Sequence, residues 1–184
     1  MWVHDISTLK KTPSAKFSSW MQKPKNLGES LRKVCHTLSL NIINQNFEVP
    51  LDDEIDILGL SSSKDTICYV RQIVLVGDGL PFTYGRVVVP KLVYLSHMDK
   101  FNSLGSKLIG ETLLYGNPET VRSAFEFNQI DSTHPLFNLT ISALPDSATI
   151  SKSFWARRSV FTISKNEPIL ITEIFLEDLP IYLD

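Results

Sequence analysis

The chain has 184 residues, of which 43% are hydrophobic and 21% charged, and its formal net charge at pH 7 is -2. That length suits one domain with one sizeable core, and the near-neutral charge argues against a nucleic acid or an anionic membrane as partner. No apolar run approaches the roughly 20 residues that a membrane span requires. We therefore expect a cytoplasmic protein without a membrane span.

Residues 1–19 are interpreted as a polar N-terminal extension, rich in Ser and Lys, in which Asp5 is the one acidic residue. A transit peptide is the alternative, but the segment contains no arginine. An amphipathic helix is predicted next, over 26–38, where Leu27 and Leu31 begin a helical apolar spacing. The alternating apolar residues that follow predict a strand, and the acidic segment 51–60 is interpreted as a loop.

A β-hairpin is predicted over residues 70–90, with Gly77-Asp78-Gly79 supplying the positive backbone angles of its turn. One arginine interrupts the apolar run of each strand. If the two strands pair evenly, Arg71 lies opposite Arg86 on one face. Like charges in that position destabilise a sheet by up to about 1 kcal/mol unless something neutralises them.

Two short helices joined by a turn at Gly105 are predicted over residues 91–116, because a glycine between apolar periodic segments usually marks a break. A Phe-rich strand follows, and residues 131–153 are interpreted as an irregular insertion loop. A second hairpin completes the chain, and even pairing of its strands places Arg158 opposite Glu173. Strands in runs with helices between them indicate an α+β fold with an antiparallel sheet.

The familiar catalytic and metal-binding motifs are missing from the sequence, so we expect no metal and no cofactor. Charged residues inside apolar strands are the remaining signal. A charged strand residue commonly lies on a solvated face, but apolar neighbours on both sides of Arg71 and Glu173 favour burial with a partner. An arginine fork suits a carboxylate, and a glutamate accepts a hydrogen bond from a hydroxyl. Together they indicate a pocket for a small, cyclic, anionic hydroxy compound.

The pattern R-x-I-x-L-x-x-D-G-x-P-x-x-x-G-R-x-V-V-P over residues 71–90 resembles the signature of the bacterial chorismate lyases, the chorismate pyruvate-lyases of ubiquinone synthesis. Three further pieces follow in the family's order: 104–110, Trp155–Ser159 and Pro168–Leu176. Any one piece is weak evidence, whereas four in order are specific. The resemblance extends from Trp20 to the C-terminus and assigns residues 20–184 to one domain.

The resemblance implies a single α+β domain with an antiparallel sheet of about six strands and an enclosed ligand site covered by helix-turn-helix flaps. The implied reaction converts chorismate to 4-hydroxybenzoate and pyruvate without a metal or organic cofactor, as the first committed step of ubiquinone biosynthesis. We expect a monomer that acts on a small molecule.

The family pattern also implies roles for individual residues. Arg71 matches the arginine that binds the ring carboxylate, and Glu173 matches the glutamate that bonds the ring hydroxyl, which makes these two the expected catalytic residues. Ile109 matches a residue whose backbone amide meets the carboxylate, and Leu31 is our candidate for the second amide. We assign Arg86 to the enolpyruvyl end of the substrate, with a structural ion pair as the alternative.

A binding module is the competing class of function. Ligand-sensing domains of some bacterial transcription regulators share this fold and a similar D-G-x-P hairpin, and they bind small anions without reacting them. Such regulators also carry an N-terminal DNA-binding domain, for which the residues before Asn26 leave no room.

Overall fold

The computed structural model describes residues 1–61, 66–146 and 148–183. It is an α+β fold built on one antiparallel sheet. The α-helices are α1 (Ala15–Gln22), α2 (Leu27–Arg32), α3 (Asp52–Ile57), α4 (Lys91–Ser96), α5 (Met98–Asn102) and α6 (Pro135–Ala143). A 3₁₀ turn at Ile6–Thr8 and a π-helix at Gly110–Leu114 complete the helical elements of the described ranges.

The strands are β1 (Leu38–Glu48), β2 (Cys68–Gly77), β3 (Leu80–Pro90), β4 (Val121–Arg122), β5 (Glu126–Asp131), β6 (Ser153–Thr162) and β7 (Pro168–Phe175). Their order in the sheet is β1-β2-β3-β7-β6-β4, and β5 also pairs with β6. The described part of the chain thus has seven strands, close to the expected six. Within it, no helix has both the length and the apolar content to cross a membrane.

Helices cover both faces of the sheet, which explains why β2 and β3 are buried almost throughout. One face, called here the flap face, carries α1 and α2 on one side and α4, α5 and the π-helix on the other. The opposite face packs against α3 and α6. An arginine side chain in a central strand is therefore buried whichever face it points to. The alternative, that these charged residues lie on a solvated face of the sheet, does not apply.

The register of the first hairpin differs from the predicted one because of a β-bulge. The turn itself is as expected, with Asp78 and Gly79 at φ values of 49° and 84°. Phe82 is an extra residue on β3, so the pairing shifts by one position beyond the turn. Arg71 lies opposite Val87, not opposite Arg86. Because side chains alternate between faces, the two arginines point to different faces, and no like-charge pair forms.

The second hairpin also differs from its predicted register by one residue. The predicted turn is present, and Asn166 has a φ of 68° there. The strands pair so that Glu173 lies opposite Arg157, while Arg158 lies opposite Thr172. The predicted pairing of Arg158 with Glu173 is wrong, and the neighbouring arginine takes that place.

Three segments that lacked predicted structure contribute to the fold. The acidic segment forms α3, whose first turn carries three carboxylates, as the helix dipole favours. The 131–153 segment, predicted to be irregular, contains α6, which packs on the opposite face of the sheet. Residues of the polar N-terminal segment also contact the sheet, since Val3 bridges to Phe127 and Phe17 is buried in the core.

Candidate functional site

A cavity lies on the flap face, between the two groups of helices. Its floor is formed by alternate residues of β2, β3 and β7, and its walls by the start of α2 and by residues 107–111 with Tyr115. We call the α1–α2 segment the N-terminal flap and residues 98–114 the central flap. Gly105, at the predicted break in the central flap, has a φ of 48°. Arg71, Ile109 and Glu173, three of the residues singled out in the sequence, all line this cavity.

Arg71 is buried with part of its hydrogen-bonding capacity unused. Its side chain is on the cavity floor, and the residue is 2% exposed. Nη2 donates to the carbonyl oxygens of Gly105 at 2.7 Å and Lys107 at 3.2 Å, which anchors the central flap. Nε and Nη1 have no partner among the described residues. Burial lowers the pKa of the guanidinium.

Glu173 is held by a neighbouring cation. Arg157 Nε donates to Glu173 Oε2 at 2.5 Å, and the Arg157 side chain is 1% exposed. Glu173 keeps 18% side-chain exposure and faces the cavity. Tyr115 closes the cavity nearby; burial raises the pKa of its hydroxyl, and the charge of Glu173 adds to that effect. The Glu173 carboxylate can therefore accept a further hydrogen bond from a molecule in the cavity.

The floor between Arg71 and Glu173 is mostly apolar. Arg71 pairs with Val87, and Glu173 pairs with Gly85, two residues further along β3. With strands ~4.8 Å apart and a rise of ~3.4 Å per residue, the two Cα atoms are separated by about 12 Å. Gly85 has no side chain to fill the space between them, and its Cβ position would lie 3.0 Å from Ile73. The cavity thus has a cation at one end, an acceptor at the other and an apolar bed for one ring.

The two flaps meet closely over the cavity. A Cβ built on Gly28 would lie 2.3 Å from Leu108 Cδ1, so a larger residue here would require the Leu108 side chain to shift. Leu27, at the start of α2, lines the cavity, whereas Leu31 is fully buried in the core and does not line it. The candidate for the second amide therefore moves from Leu31 to Leu27. The pattern alone did not reveal this because both leucines lie on the same apolar stripe of α2.

An ion pair joins the flaps at the rim. Arg32, at the end of α2, makes a two-pronged bond to Glu111 of the π-helix, with Nη1 bonded to Oε1 and Nη2 donating to Oε2 at 3.1 Å. The pairing raises the pKa of Arg32. The two side chains are 52% and 32% exposed, so water and salt weaken the bond.

We expect Arg32→Ala to accelerate ligand release by about 2- to 5-fold, because an exposed ion pair contributes up to about 1 kcal/mol. Stopped-flow displacement of 4-hydroxybenzoate, the product that the sequence resemblance implies, measures this rate. Raising the salt concentration should accelerate release from the wild type and leave the variant nearly unaffected. Lys91→Ala, a change at an exposed cation outside the rim, is the control. If release from the wild type and from Arg32→Ala depended equally on salt, the Arg32–Glu111 ion pair would not be what slows ligand release.

Arg86 lies on the opposite face and does not line the cavity. It is 1% exposed, and its Nε and Nη2 donate to the two oxygens of Glu54 at 2.7 and 3.1 Å. Nη1 donates to Glu48 at 2.9 Å. Pairing with these carboxylates raises the pKa of Arg86, against the effect of burial. The enolpyruvyl assignment for Arg86 is corrected accordingly: it is a structural ion pair between α3 and the sheet.

Removing the charge of Glu54 should cost stability and leave ligand binding intact. Glu54 is 1% exposed, so Glu54→Gln leaves a buried arginine without its principal counter-ion. Breaking a buried pair in this way costs about 3–5 kcal/mol. Urea unfolding should show that loss, while the affinity for 4-hydroxybenzoate should change by less than ~2-fold. A similar loss of affinity would mean that the Arg86 network reaches the cavity.

Arg157 and Lys107 were not singled out as site residues from the sequence. Arg157 stands beside Arg158 in one motif, and only the register determines which of them faces Glu173. Lys107 lies three residues before Gly110, and its position at the cavity depends on the conformation of the central flap. The sequence therefore reveals the motif, but it does not reveal which of its side chains face the cavity.

Comparison with known proteins supports the fold and identifies the family. The C-terminal domain of the histidine utilization repressor from Pseudomonas syringae pv. tomato superposes with a TM-score of 0.51 at 7% identity, over 80% of this chain and 97% of that one. At that identity the likeness concerns the fold alone.

Sequence relatives are closer than this structural neighbour. A "probable chorismate pyruvate-lyase" of Aromatoleum aromaticum is 28% identical over 94% of this chain and 93% of its own length. Another protein of that name, from Coxiella burnetii, is 29% identical over 85% and 80% of the two chains. The family model for chorismate lyase matches residues 2–183. A match of that extent shows that the chain belongs to the chorismate lyase family.

Proposed function

We propose that the protein converts chorismate to 4-hydroxybenzoate and pyruvate. The observation that carries this proposal is Arg71, a buried guanidinium whose Nε and Nη1 lack partners among the described residues and which shares a cavity with Glu173. A buried cation without a counter-ion is costly, and a ligand carboxylate removes that cost. The relatives named as probable chorismate pyruvate-lyases supply the substrate class.

The dimensions of the cavity suit a ring that carries a carboxylate and a hydroxyl at opposite positions. The ring carboxylate binds Arg71, the hydroxyl donates to Glu173, and the ring rests on Gly85 and its apolar neighbours. Backbone amides of Leu27 and Ile109, one from each flap, lie beside the carboxylate end in this proposal. The ligand thus bridges both flaps and the sheet.

The enolpyruvyl group carries the second carboxylate of the substrate, and a second cation in the cavity would stabilise its charge. With Arg86 on the opposite face, Lys107 takes that role in our proposal, because it lines the cavity and its carbonyl oxygen is bonded to Arg71. A lysine placed there meets an anion as a point charge, without the directional fork of an arginine.

The proposed reaction is an elimination that needs no co-reactant. The ring carbon bearing the hydroxyl loses its proton, that electron pair forms the last ring double bond, and the C–O bond to the enolpyruvyl group breaks. Enolpyruvate takes up the proton and becomes pyruvate. Glu173, charged and hydrogen-bonded to the hydroxyl, stabilises the electron-poor ring as that bond breaks, while the flaps exclude water. Aromatisation supplies the driving force, so positioning and charge are the protein's contributions.

Incubation with chorismate tests the proposal directly. We expect 4-hydroxybenzoate and pyruvate to accumulate in equal amounts, resolved by chromatography and by a coupled pyruvate assay. Tight binding of 4-hydroxybenzoate without turnover would instead identify a ligand-sensing relative. We further propose that the product enters ubiquinone synthesis and that the enzyme acts as a cytoplasmic monomer.

A further inference from the structure

Arg157 lies behind Glu173, outside the lining of the candidate site. It lies on β6 directly opposite Glu173, its Nε donates to Glu173 Oε2, and it does not line the cavity. Its bond to Glu173 therefore links the guanidinium to a carboxylate that faces the cavity. What it does to that carboxylate depends on how firmly the guanidinium itself is held.

The N-terminal flap holds the guanidinium from the other side. Arg157 Nη1 lies within hydrogen-bonding distance of three carbonyl oxygens, those of Trp20 at 3.4 Å, Met21 at 3.3 Å and Pro24 at 2.8 Å. The carbonyls of Trp20 and Met21 belong to the last turn of α1 and that of Pro24 lies just after the helix, where carbonyls lack intrahelical partners and favour a cation. The guanidinium carbon also lies 4.2 Å from the centre of the Phe125 ring. Arg157 is thus fixed on several sides, and its Nε points at Glu173.

We propose that Arg157 is the positioning residue that orients Glu173 and thereby sets the selectivity for a ligand hydroxyl. A glutamate that is partly exposed samples several rotamers, whereas a charge-assisted bond to an immobile arginine selects one. The selected rotamer leaves the second carboxylate oxygen to accept the hydroxyl. This proposal rests on the proposed function, because it takes a ring with a carboxylate and an opposite hydroxyl as the ligand.

The test compares the binding of 4-hydroxybenzoate and benzoate by calorimetry, since the two ligands differ only in the hydroxyl. A hydrogen bond to a charged group should make the wild type prefer 4-hydroxybenzoate by ~10-fold or more. Arg157→Lys keeps the charge but not the fork, and it should reduce this preference at least ~5-fold while benzoate affinity stays within ~2-fold. Glu173→Ala, which removes the acceptor, should abolish the preference, and adding Arg157→Lys to it should have no further effect.

Arg158→Lys is the matched control, because Arg158 is a buried arginine on the opposite face, bonded to Asp53 at 2.8 Å and Glu126 at 2.7 Å. It should lower stability and leave the preference unchanged. A folded Arg157→Lys protein with the full preference would overturn the proposal, as would additive losses in the double variant.

A measurement on the wild type keeps the proposal testable if Arg157→Lys does not fold. The Arg157 Nε–H signal in NMR should stay protected from solvent exchange when 4-hydroxybenzoate saturates the protein; loss of protection would overturn the proposal. Neither experiment requires turnover. A protein that discriminates between the ligands but leaves chorismate intact would therefore refute the lyase function alone.

Discussion

Arg71→Ala should lower kcat/KM for chorismate by about 30- to 5,000-fold, which corresponds to the loss of about 2–5 kcal/mol when one partner of a buried charge pair is removed. The physical reason is that Arg71 is the buried cation of the cavity whose Nε and Nη1 remain unpartnered within the described residues. Steady-state kinetics that follow 4-hydroxybenzoate formation measure the change. Affinity for benzoate should fall as well, since benzoate retains the carboxylate.

Arg71→Lys separates the contribution of the positive charge at position 71 from that of the guanidinium's bonding geometry. Lysine supplies a positive charge but cannot bond the flap carbonyls of Gly105 and Lys107 while presenting two donors to a carboxylate. We expect it to recover only part of the lost activity. The same conservative change at Arg158, on the opposite face, is the control and should leave kcat/KM near the wild-type value. Near-normal turnover in Arg71→Ala would refute the carboxylate assignment.

Glu173→Gln should lower kcat by about 100- to 1,000-fold, a range typical for loss of one preorganised electrostatic group in an active site. Glutamine has nearly the same shape as glutamate, but it lacks the negative charge that stabilises the ring as the C–O bond breaks. The effect should fall mainly on kcat, because the bond to the hydroxyl strengthens as charge develops. Single-turnover mixing with chorismate separates the chemical step from product release.

The side chain at position 173 also shows whether the position of the carboxylate matters in addition to its charge. Glu173→Asp keeps the charge and shortens the side chain, so it moves the carboxylate away from both Arg157 and the ligand. If charge alone were sufficient, Glu173→Asp would retain most of the activity. We expect a loss of at least ~10-fold, because positioning of the carboxylate is part of the mechanism. Unchanged single-turnover rates in both variants would exclude Glu173 from the reaction.

The sequence was most informative where a residue type determines local backbone geometry. The sequence predicted turns at Gly77-Asp78-Gly79 and at Gly105, and the structure contains both, with positive φ angles at Asp78, Gly79 and Gly105. Glycine and aspartate are residue types that adopt such angles at low cost. The runs of apolar residues predicted the central strands, and the motif pattern singled out three residues that share one cavity. These features depend on short stretches of chain.

The register of the strands depends on more than short stretches. Phe82 adds one residue to β3 and sends Arg86 to the face away from Arg71. A similar one-residue difference replaces Arg158 by Arg157 opposite Glu173. A strand has a side-chain period of two, so any one-residue error transfers a side chain to the other face. Apolar residues on both sides of each strand removed the alternation that would have fixed the faces.

The segments that were assigned as loops but form helices show a second reason why prediction from sequence failed. The acidic residues before Ile55 favour a helix start through the helix dipole, but a six-residue helix is not stable alone and depends on packing against the sheet. The same holds for α6, where Pro135 at the first turn was the available signal. Tertiary contacts, which the sequence does not display, determine both.

A crystal structure of the protein with bound 4-hydroxybenzoate tests the central claim most directly. Our account expects the ligand carboxylate on Nε and Nη1 of Arg71, the hydroxyl on Glu173, and the ring over Gly85 beneath both flaps. A carboxylate bound elsewhere, with Arg71 Nε and Nη1 still unpartnered, would contradict it.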